Sequence, residues 1–279
     1  MKYIDLHTHS DCSDGSMSPE EVVRAAADAG LAAIALSDHD TTDGIAHAVS
    51  EGKRVGVEVV PAIELSAASE TETHILGYYI DPDAPALRDK LSYIREVRVR
   101  REEEICKRLG ELGLDVPFDE VRALAGEHIV CRIHIARVMI ERGYVGSVRE
   151  AFERYLSSAG PAHSGKQALT DIEAVRLIKD AGGLAFVAHL NQTRRSVDSL
   201  RVFLSRLREH GLDGVEGYYT EYTPEMQREY QALAAELGLL LSGGSDFHGK
   251  NKDIALGRLA VPYSLLERMK ERIGMPGGF

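Results

Sequence analysis

No stretch of the chain is apolar over the roughly 20 residues that a membrane-spanning helix requires, and no basic segment followed by an apolar run opens it. It therefore reads as a cytoplasmic protein without a signal peptide or a membrane partner. Cysteine is scarce: Cys12, Cys106 and Cys131 are odd in number, scattered and not in CxxC spacing. That excludes a disulfide framework and fits reduced thiols. Positive charge is short as well, with 33 Lys and Arg against 44 Asp and Glu and a formal net charge of −11. A surface made for duplex DNA is normally basic, so none is expected here. Carboxylates gathered around metal ions fit the same balance, because the formal count omits the ions' charge. Internal repeats and low-complexity segments are also lacking.

What remains is enough for a large core. Of the 279 residues 44% are hydrophobic, and α/β barrels of this size occur as single domains. An apolar strand over Tyr3–His9 ends in His7 and His9, which i, i+2 spacing places on one side. Ser18, Pro19 and Glu21 form a capping box that opens a helix ending at Gly30. Leu31–Leu36 is a second strand, running into Ser37-Asp38-His39-Asp40. A helix over Gly44–Lys53 follows, then a strand over Val57–Ile63 ending in Glu64, and an extended segment at Thr73–Tyr79 with His74. This βα alternation predicts a parallel sheet or barrel.

The rhythm then breaks. One long helix is predicted from Pro85 to Gly113, with Arg95, Arg98, Arg100, Arg101, Lys107 and Arg108 along it. Shorter helices are predicted at Asp119–Ala125, Ile133–Arg142 and Val148–Ser157. From Thr170 the βα pattern resumes, with strands ending at His189 and Glu216 and a last motif Gly243-Gly244-Ser245-Asp246-Phe247-His248-Gly249. A closing strand at Arg258–Val261 and a helix at Ser264–Ile273 complete the chain. The expected organisation is a barrel first part (1–81), an all-helical insertion acting as substrate cap (82–168) and a barrel second part (169–279).

His7 and His9, His39, Glu64, His189, and Asp246 with His248 all fall at or just beyond predicted C-terminal strand ends, which converge on one face of a barrel. Nitrogen and oxygen donors of this kind suit Zn, Mn or Fe. Taken one at a time, Asp14 in Ser-Asp-Gly is also ordinary turn chemistry, Asp38 and Asp40 are also turn or cap residues, and His74 is also a structural histidine. Coincidence at five strand ends favours a metal site.

Asp-Leu-His-Thr-His-Ser with Ser-Asp-Gly, Leu-Ser-Asp-His-Asp, Glu64 and Gly-Ser-Asp-Phe-His-Gly together resemble the PHP (polymerase and histidinol phosphatase) phosphoesterases. The insertion, with Cys131-Arg132-Ile133-His134-Ile135-Ala136-Arg137, resembles their stand-alone nucleotide-phosphatase branch within the amidohydrolase-related superfamily. The resemblance implies an α/β fold, a distorted (β/α)7 TIM-like barrel, and three divalent metals (Mn, Zn or Fe). It implies nine ligands: His7, His9, Asp14, His39, Glu64, His74, His189, Asp246 and His248. His7, His9 and Asp246 would serve one ion, Asp14, His39 and His248 a second, and Glu64, His74 and His189 a third. Asp246, Glu64 and His39 are the expected catalytic residues. Arg132 and His134 are expected to bind substrate, with Arg100, Arg101 and Lys166 as further phosphate contacts. Two loops depart from the family pattern: Leu190–Arg195 after His189, and Gly217–Glu221 after Glu216.

The implied activity is hydrolysis of a phosphate ester of a small nucleotide or sugar phosphate, such as a 3′,5′-bisphosphonucleotide, by a metal-bridging hydroxide. Alternatives are a cyclic phosphodiesterase that then removes the monoester, a 5′–3′ exoribonuclease on short RNA and a histidinol phosphate phosphatase. From other classes come a metal-dependent C–N hydrolase and a non-catalytic binding module.

Overall fold

The computed structural model describes residues 2–68, 72–157, 159–165 and 168–275. Eight strands form one sheet in the order β7-β6-β5-β4-β3-β2-β1-β8. They are β1 (Tyr3–Thr8), β2 (Ala33–Leu36), β3 (Glu58–Ala68), β4 (Glu72–Tyr78), β5 (Leu184–Val187), β6 (Leu212–Tyr219), β7 (Leu240–Gly244) and the two-residue β8 (Val261–Pro262). The sheet curls until its ends meet. Beyond β7 the Asp246 amide donates to the His7 carbonyl at 2.9 Å, and the His9 amide donates to Phe247 at the same distance. The fold is thus the expected distorted seven-stranded TIM-like barrel, with β8 lying antiparallel against β1.

Two expectations need correction. The strand expected to stop before Glu64 runs on to Ala68, so Glu64 lies inside β3. The sheet is also not wholly parallel, because β4 is antiparallel to both β3 and β5. Three residues separate β3 from β4, far short of the dozen or so that a parallel crossover requires. The reversal is useful. The start of β4, where His74 sits opposite Ser66, reaches the same end of the barrel as the ends of its parallel neighbours. The glycines 243 and 244 belong to β7, and the closing strand is shorter and later than expected.

Alternation along β3 and β4 sets the inner face. Val60 and Ala62 share a buried cluster with Leu76, Tyr78, Leu184 and Phe186, and period-two geometry brings Glu64, Ser66 and His74 onto that side. The outer face packs on α1 (Pro19–Asp28), α2 (Ile45–Val55), and α7, α8 and α9 (Asp171–Asp180, Val197–Glu209, Pro224–Glu236). The capping box at Ser18 forms as read, and a second one, with Glu173, forms at Thr170. A final helix, α10 (Ser264–Arg272), packs Leu265, Leu266 and Met269 against Ile4 and Leu6.

Between β4 and α7 the described residues form only helices: α3 (Pro85–Glu111), α4 (Phe118–Ala125), α5 (Arg132–Glu141) and α6 (Val148–Ala151), the last continuing as a π-helical turn over Phe152–Leu156. α3 joins two cores. Leu87, Leu91 and Ile94 pack with the barrel, whereas Ile105, Cys106 and Leu109 pack with α4, α5 and α6. No helix among the described residues is long and apolar enough to cross a membrane.

Closure of the barrel leaves no room at Gly244, where an added Cβ would stand 2.4 Å from the His7 amide nitrogen and Cβ. Gly244→Ala should force β1 and β7 apart and cost about 1–3 kcal/mol. Urea unfolding would show a lower midpoint; an unchanged midpoint would contradict this account of the closure.

Candidate metal centre

At the open end of the barrel nine side chains converge, five of them imidazoles placed directly around the ninth, the buried carboxylate of Glu64. Glu64 is fully buried. Its Oε2 lies 3.3 Å from Nε2 of His7, 3.3 Å from Nε2 of His9 and 3.1 Å from Nδ1 of His39. Its Oε1 lies 2.9 Å from Nδ1 of His74 and 3.0 Å from Nε2 of His189. Asp246 Oδ1 stands 3.3 Å from His9 Nε2 and 3.6 Å from His7 Nε2. Asp14 lies 3.1 Å from His248 and 3.6 Å from His39.

Donor atoms of His7, His9 and Asp246 fall within 4.8 Å of one another, as do those of His9, Asp14, His39 and His248, and those of His39, Glu64 and His74. His9 and His39 thus each stand in two sets, and His189 joins through Glu64. Several of these atoms have no hydrogen-bond partner although buried: His7 Nε2, both ring nitrogens of His9, His39 Nδ1 and Glu64 Oε2. Polar atoms buried without partners are costly. A divalent cation would satisfy them, so the donor set fits metal ions.

Charge runs the same way. Burial raises the cost of ionising Asp14, Glu64 and Asp246, yet the surrounding imidazoles, with Lys252 at Asp246, hold all three well below the ordinary carboxylate range. Burial works against protonating His7 and His9 too. The carboxylates outweigh it, holding His7 well above its ordinary value and raising His9 to about 9. His39 goes well below, because burial and the neighbouring His9 and His74 disfavour its charge.

A second layer holds the donors in place. The Glu216 carboxylate meets His7 Nδ1 at 2.9 Å and accepts from the His189 amide at 2.7 Å. Such partners orient a ligating imidazole and fix which nitrogen faces the ion. Tyr219 donates to Asp246 Oδ2 at 2.9 Å, and Lys252 binds the same oxygen, which leaves Oδ1 to the histidines. Asp38 accepts from the Ser10 amide and the Ser10 and Ser13 hydroxyls, fixing the turn before Asp14. Asp40, His189 and Asp246 take positive φ (52°, 24° and 58°), strain of the kind that functional sites retain. Sequence reading missed Lys252 and the part played by Glu216; a carboxylate ending an apolar strand was the available signal for the latter.

A cleft opens beside the cluster, lined by Asp14, His39, Ser66, His74, Arg98, Cys131, Arg132, Ile133 and Phe152. Arg132, at the start of α5, reaches it, with its guanidinium 5.7 Å from the Phe152 ring centre. Of the other substrate candidates, His134, Arg100 and Arg101 do not line the cleft. His134 accepts from the Cys131 amide through Nδ1 and caps its own helix. Arg100 is exposed and paired with Glu96, and Arg101 is buried against Glu102. Lys166 lies outside the described residues. Arg98 lines the cleft instead, buried and held by Asp40, Ser66 and the Cys131 sulfur.

A family model described as "PHP domain" matches residues 5–245. The chain is 33% identical to the 5′-3′ exoribonuclease Rnm of Escherichia coli, over 91% of this chain and 88% of that one. It is 34% identical to the 3′,5′-nucleoside bisphosphate phosphatase of Chromobacterium violaceum, over 89% and 88%. A crystal structure from Bifidobacterium adolescentis, described as a metal-dependent phosphoesterase, superposes with a TM-score of 0.89 at 28% identity, covering 97% of this chain and 96% of the other. Strand order, converging donors and these likenesses agree: the chain belongs to the PHP domain family of metal-dependent phosphoesterases.

Proposed function

We propose that this chain removes a phosphate monoester from a small nucleotide carrying a second phosphate, such as a 3′,5′-bisphosphonucleotide, with three divalent ions (Mn, Zn or Fe). The observation that carries this reading is the cleft, where Arg132 and Arg98 face Asp14, His39 and His74. Anionic substrate needs cationic contacts beyond the reacting group, and a planar guanidinium suits a phosphate by two parallel bonds. The relative from Chromobacterium violaceum, named for this activity, supports it.

Metal ions held by His7, His9, Asp14, His39, Glu64, His74, His189, Asp246 and His248 would neutralise phosphoryl charge and acidify a water. The chain's own part is positioning. Glu64 divides its two oxygens between His7, His9 and His39 on one side and His74 and His189 on the other, so it would help to hold ions on both sides. Asp246 has Oδ2 engaged by Tyr219 and Lys252 and orients the attacking water through Oδ1. Arg132 takes the second phosphate. The helical segment 82–168 serves as the substrate cap, since it supplies Arg98, Cys131, Arg132, Ile133 and Phe152 to the cleft. A path for longer RNA is less favoured, because Arg100 and Arg101, the further phosphate contacts expected on α3, pair with Glu96 and Glu102 and do not line the cleft.

One panel tests the reading: Mn-loaded protein with bisphosphonucleotides, cyclic phosphates, histidinol phosphate and short RNA. Phosphate release should be fastest with the bisphosphonucleotide, vanish on metal stripping, and drop on the order of 100-fold in Asp246→Asn. Full activity after stripping, or a preference for RNA, would overturn it. Arg132→Ala should lower kcat/KM for the bisphosphonucleotide roughly ten- to hundredfold, the equivalent of about 1.5–3 kcal/mol for a charged hydrogen bond, with little loss of stability. Equal losses on a substrate with one phosphate would refute the second-phosphate role.

The histidine shifts add a pH dependence. In metal-free protein His9 keeps its proton until about pH 9, against an ordinary 6.5. That protonation contributes stability which is complete below the ordinary value and lost as pH climbs through the raised one. Metal binding must displace the proton, so affinity should rise with pH up to about 9. Calorimetric titration in buffers of different ionisation enthalpy would detect the release; affinity independent of pH would contradict the assignment.

A further inference from the structure

Outside the central cluster, one more set of ligand-type side chains converges among the described residues. A carboxylate oxygen of Asp11, the sulfur of Cys12 and a ring nitrogen of His128 all lie within 4.8 Å of one another. Cys12 is 5% exposed and forms no disulfide, while Asp11 and His128 are exposed. The three come from two parts of the fold. Asp11 and Cys12 belong to the turn after β1, and His128 to the loop between α4 and α5. Arg95 already bridges this seam, donating to Asp43 at 2.8 Å and to the Glu127 carbonyl at 3.1 Å. The setting around the thiol is negative, with Asp38, Asp11 and Asp43 all near enough to act on it.

Chemistry selects the ligand. A thiolate, an imidazole and a carboxylate are the donors zinc takes, and three of them leave one tetrahedral position for water. Hard ions such as magnesium prefer oxygen, so a thiolate selects against them. Zinc bonds of about 2.0–2.3 Å place tetrahedral donors about 3.4–3.6 Å apart. Closing from 4.8 Å therefore needs shifts of about 1 Å, within reach of two exposed side chains moving onto a buried anchor.

We propose that Asp11, Cys12 and His128 form a separate site for zinc or a similarly soft divalent ion, clipping the turn after β1 to the loop before α5. The site does not depend on which phosphate ester the central cluster hydrolyses. Ligation releases the thiol proton to solvent and needs no oxidant.

Cobalt(II) provides the test, because the nine central donors are nitrogen and oxygen and only a thiolate ligand gives sulfur-to-cobalt charge transfer in the near ultraviolet. Metal-stripped full-length protein titrated with cobalt should develop that band, and added zinc should displace it. Cys12→Ser should abolish the band and Cys131→Ser, near the cleft, should retain it. His128→Ala changes an exposed residue and leaves the core untouched; it should weaken cobalt binding at least about tenfold, with the Mn-dependent activity unchanged. Absence of the band in the wild type, or its survival in Cys12→Ser or at full affinity in His128→Ala, would overturn the proposal.

Discussion

The structure depends on one buried carboxylate. Glu64 has no solvent access, and an isolated charge there would be prohibitively costly. Five imidazoles within 3.3 Å compensate it, shared between its two oxygens. No single element supplies five such neighbours. His7 and His9 need the first strand, His39 the end of the second, His189 the end of the fifth. His74 needs a strand running the other way. The antiparallel β4 is therefore the arrangement that lets a short hairpin return a donor to the carboxylate it has just delivered.

Histidines gathered this closely repel one another once protonated, and the aspartates do likewise when ionised. The central donors are thus stable in place only because a further layer restrains them. Glu216 ties His7 to the backbone of His189, Asp38 gathers three donors from the turn before Asp14, and Asp5 accepts from the Ser245 amide at 2.8 Å to anchor the loop that carries Asp246. Positive φ at His189 and Asp246 is sustained by these bonds, and at Asp40 by its own contacts with the Glu64 carbonyl and the Ser66 amide.

His7, His9, His39, Glu64, His189, Asp246 and His248 stood out in the sequence because they follow apolar runs, and an apolar run ending in histidine or carboxylate is a strong departure from chance. Asp14 in its turn and His74 at a strand start carry no such signal and came from the family resemblance alone. The barrel was legible for the same reason, through alternating strand and helix signals. The reversal of β4 was not, since period-two alternation carries no direction. Nor was the reach of β3 past Glu64, because a charged residue reads as an end until its partners are known. The arginines of α3 show a different gap. Leu87, Leu91 and Ile94 form a stripe at helical spacing, and continuing it reaches 98, 101, 102, 105 and 109, the positions found buried. Arg98 could have been found from that stripe. The density of charge around it pointed to Arg100 and Arg101 instead.

Arg98 also explains how the helical segment and the barrel act as one site. Its guanidinium leaves α3, enters the barrel mouth and is held by Asp40 and by Ser66, the residue two beyond Glu64 on the same face of β3. Asp40 in turn accepts from the Ser66 amide at 2.9 Å. A buried pair of this kind adds little net stability, but its loss strands a charge, so it acts chiefly to fix geometry. Because Arg98 sets α3 against β3, and α5 packs with α3 through Ile105 and Ile135, the position of Arg132 over Asp14 and His39 follows from the same contact. Arg132 is itself held on the helical side, donating to the Leu156 carbonyl at 3.3 Å, so its place at the cleft is set before any substrate arrives. The seam between the two cores therefore sets where the guanidinium groups of Arg98 and Arg132 stand relative to the donors around Glu64.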